Sequence, residues 1–259
     1  MDLGTRFEAA QRLAAEAGAL AMRLRPPPGA PIATLKSAQD WLTEADGAVE
    51  AFLSGELARL FPEDGFQGEE TGSARPGTLT WVIDPIDGTA NYARGGARWC
   101  VSIGLIDADQ ALLGVLVAPV LGETFTACKG LGATLNGRAI HAADTTDPGR
   151  ATIEVGWSPR RPNAVFQGIV SRVMAQGATV RAGGSGALGL ADVAAGRLDG
   201  YLEAHINLWD VAAALVILSE AGAFVSPFLQ GNGRTHGNPM IAGAPALAAM
   251  LTGCAAVAT

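Results

Sequence analysis

The sequence predicts an α+β lobe followed by an α/β lobe in a chain of 259 residues. Short β-rich segments joined by brief turns fill residues 79–127, a pattern typical of an antiparallel sheet. After residue 148, strand-like and helix-like segments alternate, which favours an α/β arrangement. A chain of this length can bury a large core. We therefore expect an N-terminal lobe over residues 1–147 and a C-terminal lobe over residues 148–259, closely packed as one unit.

Two helices are expected before the first sheet. Apolar residues from Phe7 to Leu24 recur at helical spacing, and the segment Pro26–Gly29 ends that helix. A second helix follows Thr43 as its N-cap, with Asp46 three residues later in the position of a capping box. This helix is expected to turn its apolar residues inward: Val49, Phe52, Leu53, Leu57 and Leu60.

The later elements are predicted from apolar runs and the turn residues between them. The strands of the first lobe are Leu79–Ile83, Trp99–Ile106, Leu112–Ala118 and Glu123–Ala127. In the second lobe, strands Thr152–Val155, Thr179–Arg181 and Leu198–Leu202 alternate with helices Ala164–Gln176, Ala187–Ala195 and Val211–Ala221. The last helix is apolar nearly all round, so its length and the stop at Gly222 predict it, and it should lie inside the protein.

Two carboxylates stand at the end of the first of these strands. An apolar run precedes Asp84, and Pro85 should end the strand and leave Asp84 at its tip. Asp87, Gly88 and Thr89 follow. Convergent carboxylates and a phosphate oxygen suit Mg²⁺, and if Thr89 opens a helix, its backbone N–H groups point at an anion. A surface turn is the alternative interpretation of the same residues.

Two further acidic segments could complete a site. Trp209-Asp210 lies at the N-terminal edge of the apolar last helix, where an aspartate could also simply cap the helix. The segment Gly68–Glu70 lies shortly before the first motif.

In this order and spacing, Gly68–Glu70, the segment Asp84–Thr89 and Trp209-Asp210 resemble the inositol monophosphatase family of Mg²⁺-dependent, lithium-sensitive sugar phosphatases. The resemblance covers almost the whole chain and includes Glu203, seven residues before Asp210. It implies a layered αβαβα sandwich, a homodimer and Mg²⁺ as the cofactor.

The resemblance also implies the roles of individual residues. Glu69, Asp84 and the backbone carbonyl of Ile86 would hold one ion, which carries the attacking water. A second ion, which steadies the leaving oxygen, would be held by Asp84, Asp87 and Asp210. Glu69 and Asp84 are also catalytic, because the ion that they hold lies beside the attacking water. Thr89, oriented by Asp46, would accept or relay the proton of that water, since a hydroxyl is a poor base without a carboxylate beside it. Asp46 could also cap the second helix, and both roles could hold at once, but a side chain that points at its own backbone is not expected to orient Thr89 as well.

The remaining implied contacts are with the substrate. The backbone N–H groups of Gly88 and Thr89 would bind the phosphate. Contacts with the rest of the substrate are implied for Asp87, Ser185, Gly186, Glu203 and Asp210. Glu203 is retained, which favours a small phosphorylated polyol such as inositol 1-phosphate. Ala204 stands where the family often has glycine, and this change leaves open histidinol phosphate and the sugar or nucleotide phosphates of the wider superfamily.

Two alternatives of other classes are open to the sequence. The segment Gly184–Gly189 matches the GxGxxG dinucleotide pattern, but no acidic residue follows at the expected spacing, so we assign it to a helix entry. A non-catalytic relative could use the fold to bind regulatory proteins, but the presence of every implied metal ligand favours an enzyme.

Composition and charge disfavour some classes of binding partner and of cellular location. The formal net charge of −7 disfavours binding to nucleic acid or to an anionic membrane. The N-terminus lacks a signal-like pattern, and Glu220 interrupts the longest apolar run, so a cytoplasmic location is expected. The three cysteines are predicted to be buried thiols, and the three histidines are too scattered for a zinc site. Of these histidines, His205 is expected at the substrate rim as a hydrogen-bonding group.

Overall fold

A computed structural model describes residues 2–26, 34–37, 40–108 and 110–256. The helices are α1 Leu3–Leu24, α2 Glu44–Leu60, α3 Thr89–Ala93, α4 Asn163–Ala175, α5 Gly186–Ala194, α6 Leu208–Glu220, α7 Gly233–His236 and α8 Ala248–Ala255. The strands up to the middle of the chain are β1 Thr34–Ser37, β2 Asp40–Leu42, β3 Gly65–Gly68, β4 Gly72–Arg75, β5 Thr80–Asp87, β6 Cys100–Ile106, β7 Ala111–Ala118, β8 Glu123–Cys128, β9 Ala133–Leu135 and β10 Arg138–Ala139. The remaining strands are β11 Thr152–Gly156, β12 Thr179–Arg181, β13 Gly200–Ile206, β14 Phe224–Val225 and β15 Asn238–Gly243.

The elements stack in alternating layers of helices and sheets. One sheet has the strand order β10-β9-β8-β7-β6-β5-β3-β4, and the other has the order β12-β11-β13-β15-β14. Helices α1 and α2 cover the outer face of the first sheet, and α4 and α8 cover the outer face of the second. Helices α5 and α6 lie between the two sheets. The predicted αβαβα sandwich is confirmed.

The pairing of the strands differs between the two sheets. In the first sheet every described pair is antiparallel except β3 with β5. In the second sheet, β12, β11 and β13 run parallel, and β15 is antiparallel to both β13 and β14. The first lobe is therefore mostly antiparallel and the second has the α/β pattern, as predicted. The predicted boundary after residue 147 falls between β10 and β11.

Two glycines allow α6 to lie directly on the first sheet. Gly104 and Gly114 pair with each other across β6 and β7. A Cβ atom at Gly114 would lie 2.2 Å from the carbonyl oxygen of Ala213, and one at Gly104 would lie 2.8 Å from the Cβ of Ala212. The close approach fixes the height of α6 above the sheet, and with it the position of Asp210 in the first turn.

Most predicted elements are present within a few residues of their expected ends. Helix α1 ends at Leu24, before Pro26, and residues 27–29 of the predicted stop lie outside the described residues. Helix α2 has Thr43 as its N-cap and Asp46 in the capping box. All three cysteines are free and buried, as predicted. In the described part of the chain, no helix combines the length and the apolar character needed to cross a bilayer.

Candidate metal and phosphate site

The strand that carries Asp84 does not end at Pro85, so that prediction was wrong. Strand β5 continues to Asp87, and its register against β6 shifts between a pair with Ser102 and a pair with Cys100. Between these two pairs β5 advances by three residues and β6 by two, so β5 contains a β-bulge. Pro85 lies in this bulge, where its missing N–H removes no regular hydrogen bond of the sheet. Residues three apart in a regular strand point to opposite faces, whereas the bulge allows Asp84 and Asp87 to face the same side.

The bulge brings two carboxylates to a third one at the start of α6. Oxygen atoms of Asp84, Asp87 and Asp210 all lie within 4.8 Å of one another. Asp84 Oδ1 accepts a hydrogen bond from the backbone N–H of Ile86 at 2.9 Å. Asp210 Oδ2 likewise accepts one from the N–H of Asn207 at 2.9 Å, so Asp210 caps its helix and also faces the cluster. Asp84 and Asp210 each accept one backbone N–H and retain lone pairs for another ligand.

Asp87 is held by the N-terminus of α5. Its carboxylate accepts hydrogen bonds from the hydroxyl of Ser185 and from the backbone N–H groups of Gly186 at 3.2 Å and Ala187 at 3.0 Å. Ser185 in turn accepts a bond from the N–H of Leu188 at 3.3 Å and caps the helix. The GxGxxG segment therefore enters a helix, as expected, but it binds a carboxylate of this chain. The predicted contacts of Ser185 and Gly186 with substrate stay predictions.

Glu69 lies beside Asp84 because β3 and β5 are parallel. Gly68 pairs with Ile83, and the N–H of Glu69 donates to the carbonyl of Ile83 at 3.2 Å. Because the two strands run in the same direction, the residues that follow this pair, Glu69 and Asp84, are also neighbours. Glu69 is not part of the group within 4.8 Å, although its charge acts on Asp84.

A buried glutamate that the sequence analysis missed positions this corner. Glu50 on α2 accepts hydrogen bonds from the N–H groups of Glu70 and Thr71, both at 2.9 Å. A Cβ atom at Gly68 would lie 2.3 Å from a carboxylate oxygen of Glu50, so a larger residue there would displace this carboxylate. The sequence contains one signal for this contact. An acidic residue lies on the inner face of a predicted helix, and a glycine followed by two glutamates comes 18 residues later.

Thr89 opens α3, as predicted, after Gly88 in the left-handed region at φ 92°. The Thr89 hydroxyl lies 2.8 Å from the carbonyl oxygen of Ile86 and 3.3 Å from Asp46 Oδ1. Asp46 Oδ2 accepts the N–H of Thr43 at 2.8 Å. The expectation that Asp46 could not cap α2 and also reach Thr89 was wrong, because the two oxygens of the carboxylate divide these contacts.

Crowding of carboxylates changes their acidity. Burial, and then the charges of Glu69 and Asp87, raise the pKa of Asp84 well above its usual value. Burial raises the pKa of Asp87 to about 6. Burial, and then the charges of Asp87 and Glu203, raise the pKa of Asp210 to about 8. The charged forms are therefore unfavourable together, and a bound cation would relieve the repulsion.

A cleft of about 620 Å³ lies beside the carboxylate cluster, and residues of both lobes line it, among them Glu69 and Asp210. Glu203 lines it and accepts a hydrogen bond from the buried Tyr201 hydroxyl, and burial raises the pKa of Glu203 to about 7. His205 also lines it, with Nε2 2.7 Å from the carbonyl oxygen of His236, which agrees with a hydrogen-bonding rim histidine. Trp157 and Arg160 complete this rim.

Sequence analysis missed Trp157 and Arg160 as rim residues. Their signal was their position after Gly156, at the end of a parallel strand, where α/β sheets bind ligands. Arg98 was missed as well: it forms ion pairs with Glu154 at 2.9 Å and Asp192 at 2.7 Å. Glu154 accepts the N–H of Gly183 at 3.1 Å, so this network holds the segment that leads into α5.

The donor set fits a hard divalent cation. The three converging ligands are carboxylates with backbone-anchored oxygens, and this cluster includes neither cysteine nor histidine. Oxygen-only sites suit Mg²⁺, Mn²⁺ or Ca²⁺, whereas thiolate and imidazole would favour zinc. Asp84, Asp87 and Asp210 would hold the ion, and Glu69 and the carbonyl of Ile86 lie next to them.

Comparison with known proteins gives consistent matches over most of the chain. The model of the inositol monophosphatase family matches residues 2–257. Nus factor SuhB of Xylella fastidiosa is 40% identical over 195 residues, covering 74% of this chain and 71% of that protein. Inositol-1-monophosphatase of Synechocystis sp. is 39% identical over 197 residues, covering 74% and 68%. The solved IMPase of Thermotoga maritima superposes with a TM-score of 0.85 at 27% identity, covering 97% and 96%.

Proposed function

This chain belongs to the inositol monophosphatase family, and on that premise we propose that it is a Mg²⁺-dependent phosphatase of small polyol monophosphates. The observation that carries the proposal is the convergence of Asp84, Asp87 and Asp210 within 4.8 Å, next to a cleft that Asp210 lines. A phosphate monoester and hydroxide repel each other. When bound at this cluster, Mg²⁺ would supply the positive charge that offsets this repulsion and lowers the pKa of water.

The residues beside the cluster provide a path for the proton of the attacking water. The Thr89 oxygen can accept a hydrogen bond from water, and its own hydrogen, which has the carbonyl oxygen of Ile86 at 2.8 Å and Asp46 Oδ1 at 3.3 Å as acceptors, can turn to Asp46. Burial raises the pKa of Asp46, which makes it a better proton acceptor than an ordinary aspartate. As water attacks phosphorus, its proton passes to Thr89 and the Thr89 proton to Asp46. The P–O bond to the alcohol breaks, and the alcohol oxygen takes a proton from solvent.

The alcohol part of the substrate would lie against the second lobe. Glu203 lines the cleft together with Asp210, and its carboxylate can accept hydrogen bonds from hydroxyl groups. Gly88 and Thr89 would bind the phosphate through their backbone N–H groups. We propose inositol 1-phosphate as the preferred substrate and histidinol phosphate as the second candidate.

Release of inorganic phosphate from a substrate panel tests this proposal. The purified protein would be assayed with inositol 1-phosphate, histidinol phosphate, fructose 1,6-bisphosphate and adenosine 3′,5′-bisphosphate, each with Mg²⁺ and with EDTA. We expect the highest kcat/KM for inositol 1-phosphate, with no turnover in EDTA. Asp87→Asn should abolish turnover, whereas Asp144→Asn, on an exposed loop, should leave it unchanged. A protein that binds Mg²⁺ but hydrolyses none of these esters would contradict the proposal.

A regulatory role is a second candidate, because the relative from Xylella fastidiosa carries the name Nus factor. Such a role would depend on the surface of the fold and not on the carboxylates. A chromosomal Asp84→Asn allele distinguishes the two roles. If deletion of the gene gives a regulatory phenotype and this allele restores normal regulation, the result would favour protein binding. We also propose a homodimer, which light scattering of the purified protein tests.

A further inference from the structure

Trp157 is an exposed aromatic residue at the edge of the cleft. Its side chain is 42% exposed, whereas Trp81 and Trp99 are fully buried in the core. It lines the same cleft as Asp210 and Glu203. Ligand clefts are lined largely by apolar and aromatic side chains, so an exposed indole in this lining is a candidate for contact with a ligand.

The indole ring of Trp157 is held in place before any ligand arrives. Its Nε1–H donates to Asn163 Oδ1 at 2.9 Å, at the first residue of α4. Strand β11 ends at the preceding residue, Gly156, so the backbone on one side is fixed by the sheet. A ring that is already oriented loses little conformational entropy when a ligand packs on it.

Trp157 also follows directly after a residue that contacts Glu203, which the family resemblance assigns to substrate and which lines the same cleft. Gly156 pairs with Glu203 in the parallel register of β11 and β13. A Cβ atom at Gly156 would lie 2.0 Å from Glu203 Oε2, so these two positions are in direct contact. An ester whose phosphate lies at Asp84 and Asp210 and whose alcohol reaches Glu203 would occupy the cleft that Trp157 also lines.

We propose that Trp157 is a specificity-determining residue that stacks on the ring of the leaving alcohol. The substrates would then be phosphate monoesters of cyclic alcohols, either a saturated polyol ring with an apolar C–H face or a flat heteroaromatic ring. An acyclic alcohol offers a smaller flat face and gains less from this contact. The inference rests on the proposed phosphatase function and adds to it the class of alcohol.

The test compares a cyclic and an acyclic substrate in matched variants. kcat/KM would be measured for inositol 1-phosphate and glycerol 2-phosphate in the wild type, Trp157→Phe, Trp157→Ala and Met174→Ala. Met174 is another large exposed apolar residue, 61% exposed, on α4 and outside the cleft lining. Aromatic stacking predicts that Trp157→Ala lowers the cyclic-to-acyclic ratio of kcat/KM about fivefold. Trp157→Phe should keep most of the ratio, and Met174→Ala all of it. An unchanged ratio in Trp157→Ala would overturn the inference.

Binding measurements separate this inference from the proposed function. Intrinsic fluorescence would be titrated with inositol 1-phosphate and glycerol 2-phosphate in the wild type and in Trp157→Phe, with Ca²⁺ in place of Mg²⁺. A larger change with the cyclic ester that is lost in Trp157→Phe supports ring stacking even if no ester is hydrolysed, in which case only the proposed function fails. Equal changes with both esters, or no change with either, overturn the inference whether or not the protein is an active phosphatase.

Discussion

The metal-free protein is expected to lose stability as the pH rises from about 5.5 to about 8, because its site crowds buried carboxylates. Burial and the charges of Asp87 and Glu203 raise the pKa of Asp210 to about 8 in the folded state, against an ordinary value of 3.8. When folding raises the pKa of a carboxyl group, that group contributes to stability in its protonated form. The contribution is fully present below the ordinary pKa of the group. That contribution is lost as the pH rises through the folded pKa. The free energy of unfolding should therefore fall across this range.

The size of the effect follows from the shift of Asp210. Each pH unit in which the folded state keeps a proton that the unfolded state has lost costs about 1.4 kcal/mol. From about pH 5.5 to about pH 8 the loss from Asp210 alone is about 2–3 kcal/mol, and partial exposure of this residue favours the lower end. For a chain of this size, about 2 kcal/mol corresponds to a fall in Tm of roughly 4–8 °C.

Scanning calorimetry in EDTA at the two pH values measures this loss. Asp210→Asn removes the titrating group and keeps an oxygen that can accept the N–H of Asn207, so its Tm should depend less on pH. Asp144→Asn, at an exposed position, is the matched control and should behave like the wild type. Mg²⁺ at a hundred times its Kd should add about 2.7 kcal/mol. A metal-free wild type that is more stable at the higher pH, or an Asp210→Asn variant with an undiminished fall, would refute the reasoning.

Three further variants test individual contacts. Thr89→Ala should lower kcat about a hundredfold because the proton path is lost, whereas Thr89→Ser should retain activity. Equal rates in the two variants would show that the hydroxyl takes no part in the proton transfer. Ser185→Ala removes the cap of α5 and a donor to Asp87, so chemical denaturation should show a loss of about 1 kcal/mol and activation should need more Mg²⁺. An unchanged Mg²⁺ requirement would separate Ser185 from the site. Glu203→Gln should raise KM for inositol 1-phosphate but not for a small aryl phosphate, and an equal rise for both would remove Glu203 from the rim.

Local sequence patterns predicted the long helices α1, α2, α4, α5 and α6, and the strands β5 to β8 and β11 to β13. Helix α2 shows why: its N-cap Thr43 and its apolar positions are signals within one element, and the structure contains both. The αβαβα order followed from the family resemblance. Strands β3 and β4, with the glycines Gly65, Gly68 and Gly72, lacked a β-rich pattern and were missed.

The candidate site depends on contacts that no local pattern contains. The β-bulge between Asp84 and Asp87 is defined by pairing with a different strand, so a proline that ends many strands gave the wrong end here. Glu50 acts on residues 70 and 71 across the first lobe, and Ser185 reaches Asp87 from the second lobe. The sequence motifs identified the carboxylates, whereas tertiary packing determines how each carboxylate is held.

The initial rate of phosphate release as a function of Mg²⁺ concentration tests the central claim most directly. The rate from inositol 1-phosphate would be measured for the purified wild type and for Asp84→Asn, whose fold would be checked by circular dichroism. We expect a saturable dependence on Mg²⁺ in the wild type and no measurable rate in folded Asp84→Asn at any Mg²⁺ concentration. Wild-type turnover that is independent of Mg²⁺, or comparable turnover in Asp84→Asn, would contradict this claim.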